Sequence, residues 1–399
     1  MNPGAIEGPT VVARVIALLL VTFSQNVAMC QEVAPPGPSA PAAGSPMRDQ
    51  NPATSETAEA EPDWGYGGWA DFFTVWNFND PFNGRNGLRF FDTPSARGIH
   101  FGEVDTWVER RRSPIGFRAE FNIGPNARLN NAYEPSRSDF WESFRELAVS
   151  ANLDRSGRTS LTFGKQVTPA GLEEVQPHER DLHSVGYIYA LASPNYYFGP
   201  RLHHDLNETD YVELHAFRGW DAVGAPGHAP GYGITYNRAF GKSFSGALTF
   251  LSGHDSDGTG QSGRRNLFDV YLIHDRSRRW KHSVNFELNT QANVLTASGR
   301  RESVAWIGAA VGTRYRLDGN RFLSARLDWF HDDSGYLTGA PGTAVAFTAG
   351  HAWEWHRNLQ ARVEFRHDFS GGANFFARRN PGSFGTNQST LQASVIAHF

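Results

Sequence analysis

The sequence predicts an all-β protein: a transmembrane up-and-down antiparallel β-barrel of about sixteen strands, with fourteen as the alternative count. Three observations predict it. From Trp64 onward, apolar and polar side chains take turns through successive segments, which puts the two sets on opposite faces of a sheet. The links between segments run short and long in turn, as periplasmic turns and outer loops do in a membrane barrel. The final alternating segment ends on an aromatic residue, Phe399.

Composition agrees with strands and turns. Aromatic residues make up 13% of the 399 residues and glycine is abundant at 41, a mix that suits sheet more than helix. No apolar run after the N-terminal region is long enough for a spanning helix. The mean hydropathy of −0.46 is that of a water-soluble chain. A barrel reaches such a value because only alternate residues face lipid. The net charge of −4 is small and gives no reason to expect a nucleic-acid partner.

Three regions are expected along the chain. Residues 1–30 read as an export signal, with Arg14 ahead of the apolar run Val15–Phe23 and small residues near Ala28. The single cysteine, Cys30, stands in the cleavage zone, where Val27-Ala28-Met29-Cys30 is a poor lipid-attachment sequence. Residues 31–63 are rich in Pro, Ala, Ser and Glu without apolar periodicity and read as a disordered periplasmic segment. Residues 64–399 are the barrel.

Within the barrel, the expected strands are 65–78, 99–110, 115–123, 142–153, 159–166, 197–205, 209–217, 231–240, 243–253, 266–275, 279–290, 303–317, 321–332, 344–355, 358–369 and 388–399. In Leu359–Phe369, Leu359, Ala361, Val363 and Phe365 alternate with Gln360, Arg362, Glu364 and Arg366. In Ile115–Ile123, the apolar odd-numbered positions alternate with Gly116, Arg118, Glu120 and Asn122. In the last strand Leu391, Ala393, Val395, Ala397 and Phe399 share a face, and Ile396 is the exception on the polar side. Such a terminal strand resembles the signal read by the barrel-assembly machinery. Sheet closure is what lipid demands, because an open edge leaves several kcal/mol of unpaired backbone at each position, by order of magnitude. Tyr66, Trp76, Phe78, Trp280, Tyr315, Trp329, Trp353 and Trp355 are the expected interfacial girdles facing outer-membrane lipid.

A barrel of this strand number is expected to keep an aqueous lumen, lined by the polar face. Its charges read as unequal. Arg314, Arg316, Arg326, Arg362 and Arg366 stand on the late strands, against Asp105, Glu109 and Glu120 on the early ones, with Arg118 among them. The longest link, 167–196, carries Glu173, Glu174, Glu179 and Asp181. Folded inward, it would set acids opposite the arginines across a constriction; left outside, or wound into a short helix over Gly171–Asp181, it would be a solvated charged loop. Asp255 and Asp257 read as a turn rather than a calcium loop, and His203 and His204 point to opposite faces, so no metal ligand set and no cofactor is expected. With only Lys165, Lys242 and Lys281, the chain offers no lysine ladder for phosphate.

Several stretches carry a family resemblance. These are Trp64-Gly65-Tyr66-Gly67-Gly68-Trp69, then Asn77-Phe78-Asn79, then Phe163-Gly164-Lys165-Gln166-Val167-Thr168-Pro169-Ala170-Gly171, and Pro194-Asn195-Tyr196-Tyr197-Phe198-Gly199-Pro200-Arg201. Together they resemble the β-barrel porin-2, OmpL-like family across most of residues 64–399. The resemblance implies an outer-membrane barrel and passive transport, and assigns no catalytic or ligand residues. It also implies that the Gly-Lys-Gln-Val-Thr-Pro turn leads from a strand into the long third loop.

The expected activity is therefore passive diffusion of small polar solutes through a charged lumen, with no covalent chemistry. Two rivals stand beside it. One is a barrel enzyme, which needs a Ser/His or Asp/His set at the membrane rim. The other is a specific export or adhesin-like barrel binding through loops such as 79–98 and 370–387. A barrel this wide is compatible with a homotrimer.

Overall fold

The computed structural model describes residues 63–399 apart from 90–92, 94, 112–113, 133, 135–138, 224–228, 242, 257–258, 260, 276–278 and 297. The expected export signal and nearly all of the Pro/Ala-rich segment lie outside the described residues, as does Asp257.

Sixteen strands form one closed antiparallel barrel. They are β1 (Trp64–Asn77), β2 (Arg97–Arg110), β3 (Ile115–Ile123), β4 (Phe144–Asn152), β5 (Thr159–Val167), β6 (Tyr196–Asp205), β7 (Asp210–Phe217), β8 (Gly231–Phe240), β9 (Phe244–Ser256), β10 (Ser262–His274), β11 (Trp280–Leu295), β12 (Arg301–Arg316), β13 (Arg321–Asp332), β14 (Gly342–His356), β15 (Leu359–Gly371) and β18 (Asn387–His398). A two-residue hairpin, β16 (Phe376–Ala377) and β17 (Phe384–Gly385), lies in the loop before β18. Each barrel strand pairs with its sequence neighbour, and β18 pairs with β1 from Trp69↔His398 to Asn77↔Thr390. Phe399 finishes the seam, exchanging backbone hydrogen bonds with Gly68 in both directions.

The period of two decides the faces. On β15 Arg362, Glu364, Arg366 and Asp368 are buried inside, while Val363, Phe365 and Phe369 are exposed on the outer wall. On β3 Ile115, Phe121 and Ile123 face out, and Glu120 and Asn122 face in. Ile396 does point inward, wholly buried. The outer wall is thus apolar all round, as a lipid-facing surface must be. Tyr66, Trp280, Trp353 and Trp355 are exposed at the end where the chain termini of the barrel meet, and Trp280 packs on Tyr315 at 4.6 Å between ring centres. Trp76 and Phe78 are exposed at the opposite end, where Trp329 is half-buried. Two belts of aromatics result.

Three expected strands, 115–123, 231–240 and 321–332, coincide with the observed ones. The strict alternation of link lengths does not hold. The expected long links 254–265 and 291–302 contract to 257–261 and 296–300, shorter than the turn 153–158 at the other end. Pairing continues there through polar residues such as Ser256↔Ser262 and His254↔Arg264. Beyond the apolar band both faces meet water, so hydrophobic periodicity fades while the backbone ladder persists.

Of the alternatives open for the third loop, the short helix over Gly171–Asp181 is not the one observed. Short helices occur instead at α1 (Pro125–Asn130) and α2 (Asp139–Glu142), and a single π-type turn spans Ile188–Ala192.

Gly164 and Gly199 face each other across β5 and β6. Both have positive φ, and a Cβ on either would sit 2.1 Å from a carbonyl oxygen of the next strand, that of Leu147 or Ala216. Only glycine tolerates both demands. Gly164→Val is expected to cut the yield of folded barrel sharply, read as loss of the heat-resistant form on gels.

Candidate functional site

The link from β5 to β6, residues 168–195, turns into the barrel and crosses its lumen. It is fastened along its whole length to inward side chains. The Gly171 N–H donates to Asp269 on β10 at 3.1 Å, and the Leu172 N–H to Asn285 on β11 at 3.2 Å. Glu173 accepts from Arg326 on β13 and from the Gly186 N–H, both at 2.6 Å. The His178 carbonyl accepts from Gln360 at 3.1 Å and Arg362 at 3.3 Å on β15. Asp181 takes Arg314 of β12 at 3.0 Å and Lys281 of β11 at 3.3 Å.

The return limb is held as firmly. His183 pairs through Nε2 with Asp71 of β1 at 2.9 Å and accepts at Nδ1 from Gln392. Its backbone N–H donates to Glu364 at 2.9 Å, a carboxylate that also accepts the Ser184 hydroxyl. The Val185 carbonyl accepts from Arg366 at 2.7 Å, and the Tyr187 hydroxyl donates to Asp368 at 2.8 Å. Ile188 packs beside Gly308, where only a glycine leaves room. The Ala192 carbonyl accepts from Arg265 at 2.8 Å, and the Ser193 hydroxyl donates to Glu287. Bonds to charged groups of this kind contribute about 1.5–3 kcal/mol each, non-additively.

The expected open lumen is therefore occupied by this loop. Asp269, Glu287, Asp328 and Asp368, all inward, have no exposed surface. The first loop adds to the filling. Leu88 joins Tyr187, Ile188, Trp306, Phe330 and Phe376 in one buried apolar cluster, and Arg89 reaches Thr390 at 2.8 Å.

Burial shapes the loop's titration. Burial alone would raise the Asp181 carboxyl, but Lys281 and Arg314 hold it below the usual range. Burial keeps Glu173 above that range, because Arg326 is shared with Asp328. Burial, with the charges of His398, Arg362 and Arg180, pushes His178 down to about 3, so its ring is neutral. That ring stacks on His398 at 4.6 Å.

Most of the charged positions named from the sequence are engaged in ion pairs, within the walls and with the loop. Asp105 and Glu120 converge with Glu103 on the buried Arg145, at 2.9–3.1 Å. Glu109 and Glu120 also hold Arg118, together with Glu146. On the other side Arg326 pairs with Asp328 and Arg366 with Asp368, each at 2.8 Å. Arg314 is half-buried on Asp181. Arg316 is exposed at the end of β12 and lies over Phe322. Glu174 is half-buried, and Glu179 is exposed beside His178. Asp255 pairs with Arg265 at 3.1 Å. His203 faces in toward Glu213 at 3.2 Å, and His204 bonds Thr159 of the next strand at 2.9 Å.

The family model described as "Putative beta-barrel porin-2, OmpL-like" matches residues 64–399. The chain belongs to this family. Solved outer-membrane barrels share the fold at low identity. The anion-selective porin from Comamonas acidovorans aligns with a TM-score of 0.56 at 9% identity, over 84% of this chain and 99% of that one. The outer membrane channel DcaP of Acinetobacter baumannii gives 0.56 at 11%, over 86% and 99%. OprB of Pseudomonas putida gives 0.55 at 8%, over 84% and 94%. No curated protein matches the chain. This member of the OmpL-like porin family is an outer-membrane porin channel, and its location is the bacterial outer membrane.

Sequence reasoning missed much of the porin's lumen chemistry. Asp328 and Asp368 follow Arg326 and Arg366 by two residues, so strand periodicity already places each pair side by side on the inward face. That signal was available. Lys281 was equally placed by its inward parity, whereas Arg145 sits opposite the register shift between Glu120 and Phe121, where the parity of β4 breaks. The pairing of His183 with Asp71, 112 residues apart, carries no local mark.

Proposed function

We propose that this porin is a passive diffusion channel for small hydrophilic solutes, and that the third loop sets its bore. One observation carries the reading: the loop meets polar or charged inward side chains on most walls, from Asp71 through Asp269 and Asp328 to Arg362, with the apolar cluster at Trp306 and Phe330 as the exception. A barrel interior that needed only to be filled would be apolar. Ion-paired walls offer passing solutes hydrogen bonds without a deep electrostatic trap.

The channel reading is favoured over an enzyme by the surroundings of the buried Asp71–His183 pair. The second ring nitrogen of His183 meets Gln392, and the Ser184 hydroxyl is committed to Glu364. That is not the nucleophile–base arrangement of a hydrolase. The export or adhesin reading loses support where the first loop tucks inward, with Asn86, Leu88 and Arg89 buried. Outer-membrane lipid, the assembly machinery that reads the strand ending at Phe399, and a homotrimer belong to the same proposal; OmpT of Vibrio cholerae, a barrel of similar fold, is described in a trimer form.

Planar-bilayer recording of the purified chain tests the reading. Stepwise conductance is expected, and a silent bilayer with folded protein present would overturn it. Arg362→Glu with Arg366→Glu is expected to move the reversal potential in a salt gradient toward cation preference. An unchanged potential would remove both arginines from the conducting path.

A further inference from the structure

We propose that the tip of the third loop and the walls of β15, β18 and β1 together form a binding subsite for a small monovalent anion, a carboxylate in preference to a halide. The inference deepens the channel reading but does not depend on conduction.

The site is built from donors that the protein leaves unanswered. Arg362 is 6% exposed, and its Nε and Nη1 have no hydrogen-bond partner. Only Nη2 is engaged, by Gln360 at 2.8 Å and the His178 carbonyl at 3.3 Å. Ser394 stands directly opposite Arg362 in the β15–β18 register, and its buried hydroxyl is also unpartnered. Arg180 exerts the strongest like charge on Arg362, and its own buried Nε has no partner. Trp69 Nε1 is buried and unpartnered on β1, its ring 6.4 Å from that of His178, whose Nδ1 is unpartnered too. A buried donor without an acceptor costs about 1–3 kcal/mol. Several around one loop tip point to an acceptor that comes from outside the chain.

Charge selects an anion over water alone. Asp181, Asp71 and Glu364 all act on Arg362, yet each is committed elsewhere. Asp181 holds Lys281 and Arg314, Asp71 holds His183, and Glu364 holds the loop N–H groups of His183 and Ser184. Glu179, 3.9 Å from His178, is half exposed. Gln392 Oε1, one inward position along β18, is the neighbouring unpartnered acceptor; it adds a dipole but no charge. Arg180 acts on Glu103 and Glu173 as well as on Arg362, so Arg362, with two unanswered nitrogens, is the cation on which the site rests. A carboxylate suits the place better than a halide, since two oxygens can bridge guanidinium and hydroxyl donors, and the stacked His178 and His398 rings offer a flat wall for a short apolar tail.

NMR titration of labelled acetate, and separately of chloride, against the detergent-solubilised full chain tests this in a buffer free of both. Wild type is expected to bind acetate more tightly than chloride. Arg362→Gln and Arg180→Gln should each weaken acetate by at least about tenfold, the worth of a charge-assisted contact. Ser394→Ala, a milder change, should weaken it by a few-fold and keeps the question open should an arginine variant not fold. Undiminished acetate binding in the folded variants overturns the proposal. So does absence of binding to wild type, which would leave water as the sole partner of these donors. A chain that binds acetate but passes no current keeps the subsite and loses the channel; one that conducts without binding does the reverse.

Discussion

Excising residues 172–191 and joining the ends through two glycines is expected to raise single-channel conductance several-fold, while the barrel stays folded. The cut is geometrically mild. Gly171 lies against Ser193, where an added Cβ would come within 3.2 Å of the serine hydroxyl, so the limbs of the loop already meet at its base. The strands on either side remain paired up to Val167↔Tyr196. What is lost is the material that fills the lumen, and a sixteen-strand barrel without it keeps a water-filled bore. The carboxylates that the loop now covers, among them Asp269, Glu287 and Asp368, regain water, so the loss of about a dozen loop-to-wall bonds is largely offset by renewed hydration. Bilayer recording reads the conductance, and the gel shift between unheated and heated samples reads the fold. A folded variant with wild-type conductance would show that solutes take a route the loop does not control.

That expectation marks the border between what the sequence disclosed and what it withheld. The wall was legible because its rule is local. In β3 the swap of apolar for polar at every second residue is complete within one strand, β8 and β13 follow it with few breaks, and the strands closed where the pattern said they would. At β9–β12 the rule lost contrast above the lipid band, and the loops came out too long. The lumen was legible only as polarity. Arg326, Arg362 and Arg366 are inward as their parity requires, but setting them only against distant acids passed over Asp328 and Asp368, two residues beyond Arg326 and Arg366 on the same face. The loop's path was not legible at all. Tyr187 meets Asp368, and Ser184 meets Glu364, across about 180 positions of chain, and nothing near either residue announces its partner. Inward Trp306 and Phe330 look like breaks in the pattern until the loop brings Tyr187 and Ile188 to cover them.

The largest stability effect is expected at Arg145. This guanidinium is 5% exposed, and Glu103, Asp105 and Glu120 all lie within 3.1 Å of it. Its charge also sits 5.6 Å over the ring of Trp69. Three buried carboxylates with one cation between them survive only while that cation is there. Arg145→Met keeps the length of the side chain and removes the charge, leaving like charges to repel in a place with little water. Removing one partner of a buried pair typically costs about 3–5 kcal/mol, and here three partners are stranded. Glu120 retains Arg118, but Glu103 and Asp105 hold no second cation in ion-pair range among the described residues. Urea unfolding of the refolded barrel, followed by tryptophan fluorescence, should show the midpoint fall markedly for Arg145→Met. Adding Glu103→Gln and Asp105→Asn to that variant should restore most of the loss, because the penalty comes from unanswered charge and not from missing volume. A single variant as stable as wild type would mean that these carboxylates are already neutral or wet. The early strands would then present a hydrated face to the lumen, and the loop, whose Tyr189 feels the Arg145 charge, would keep on the early side its bond from His183 to Asp71.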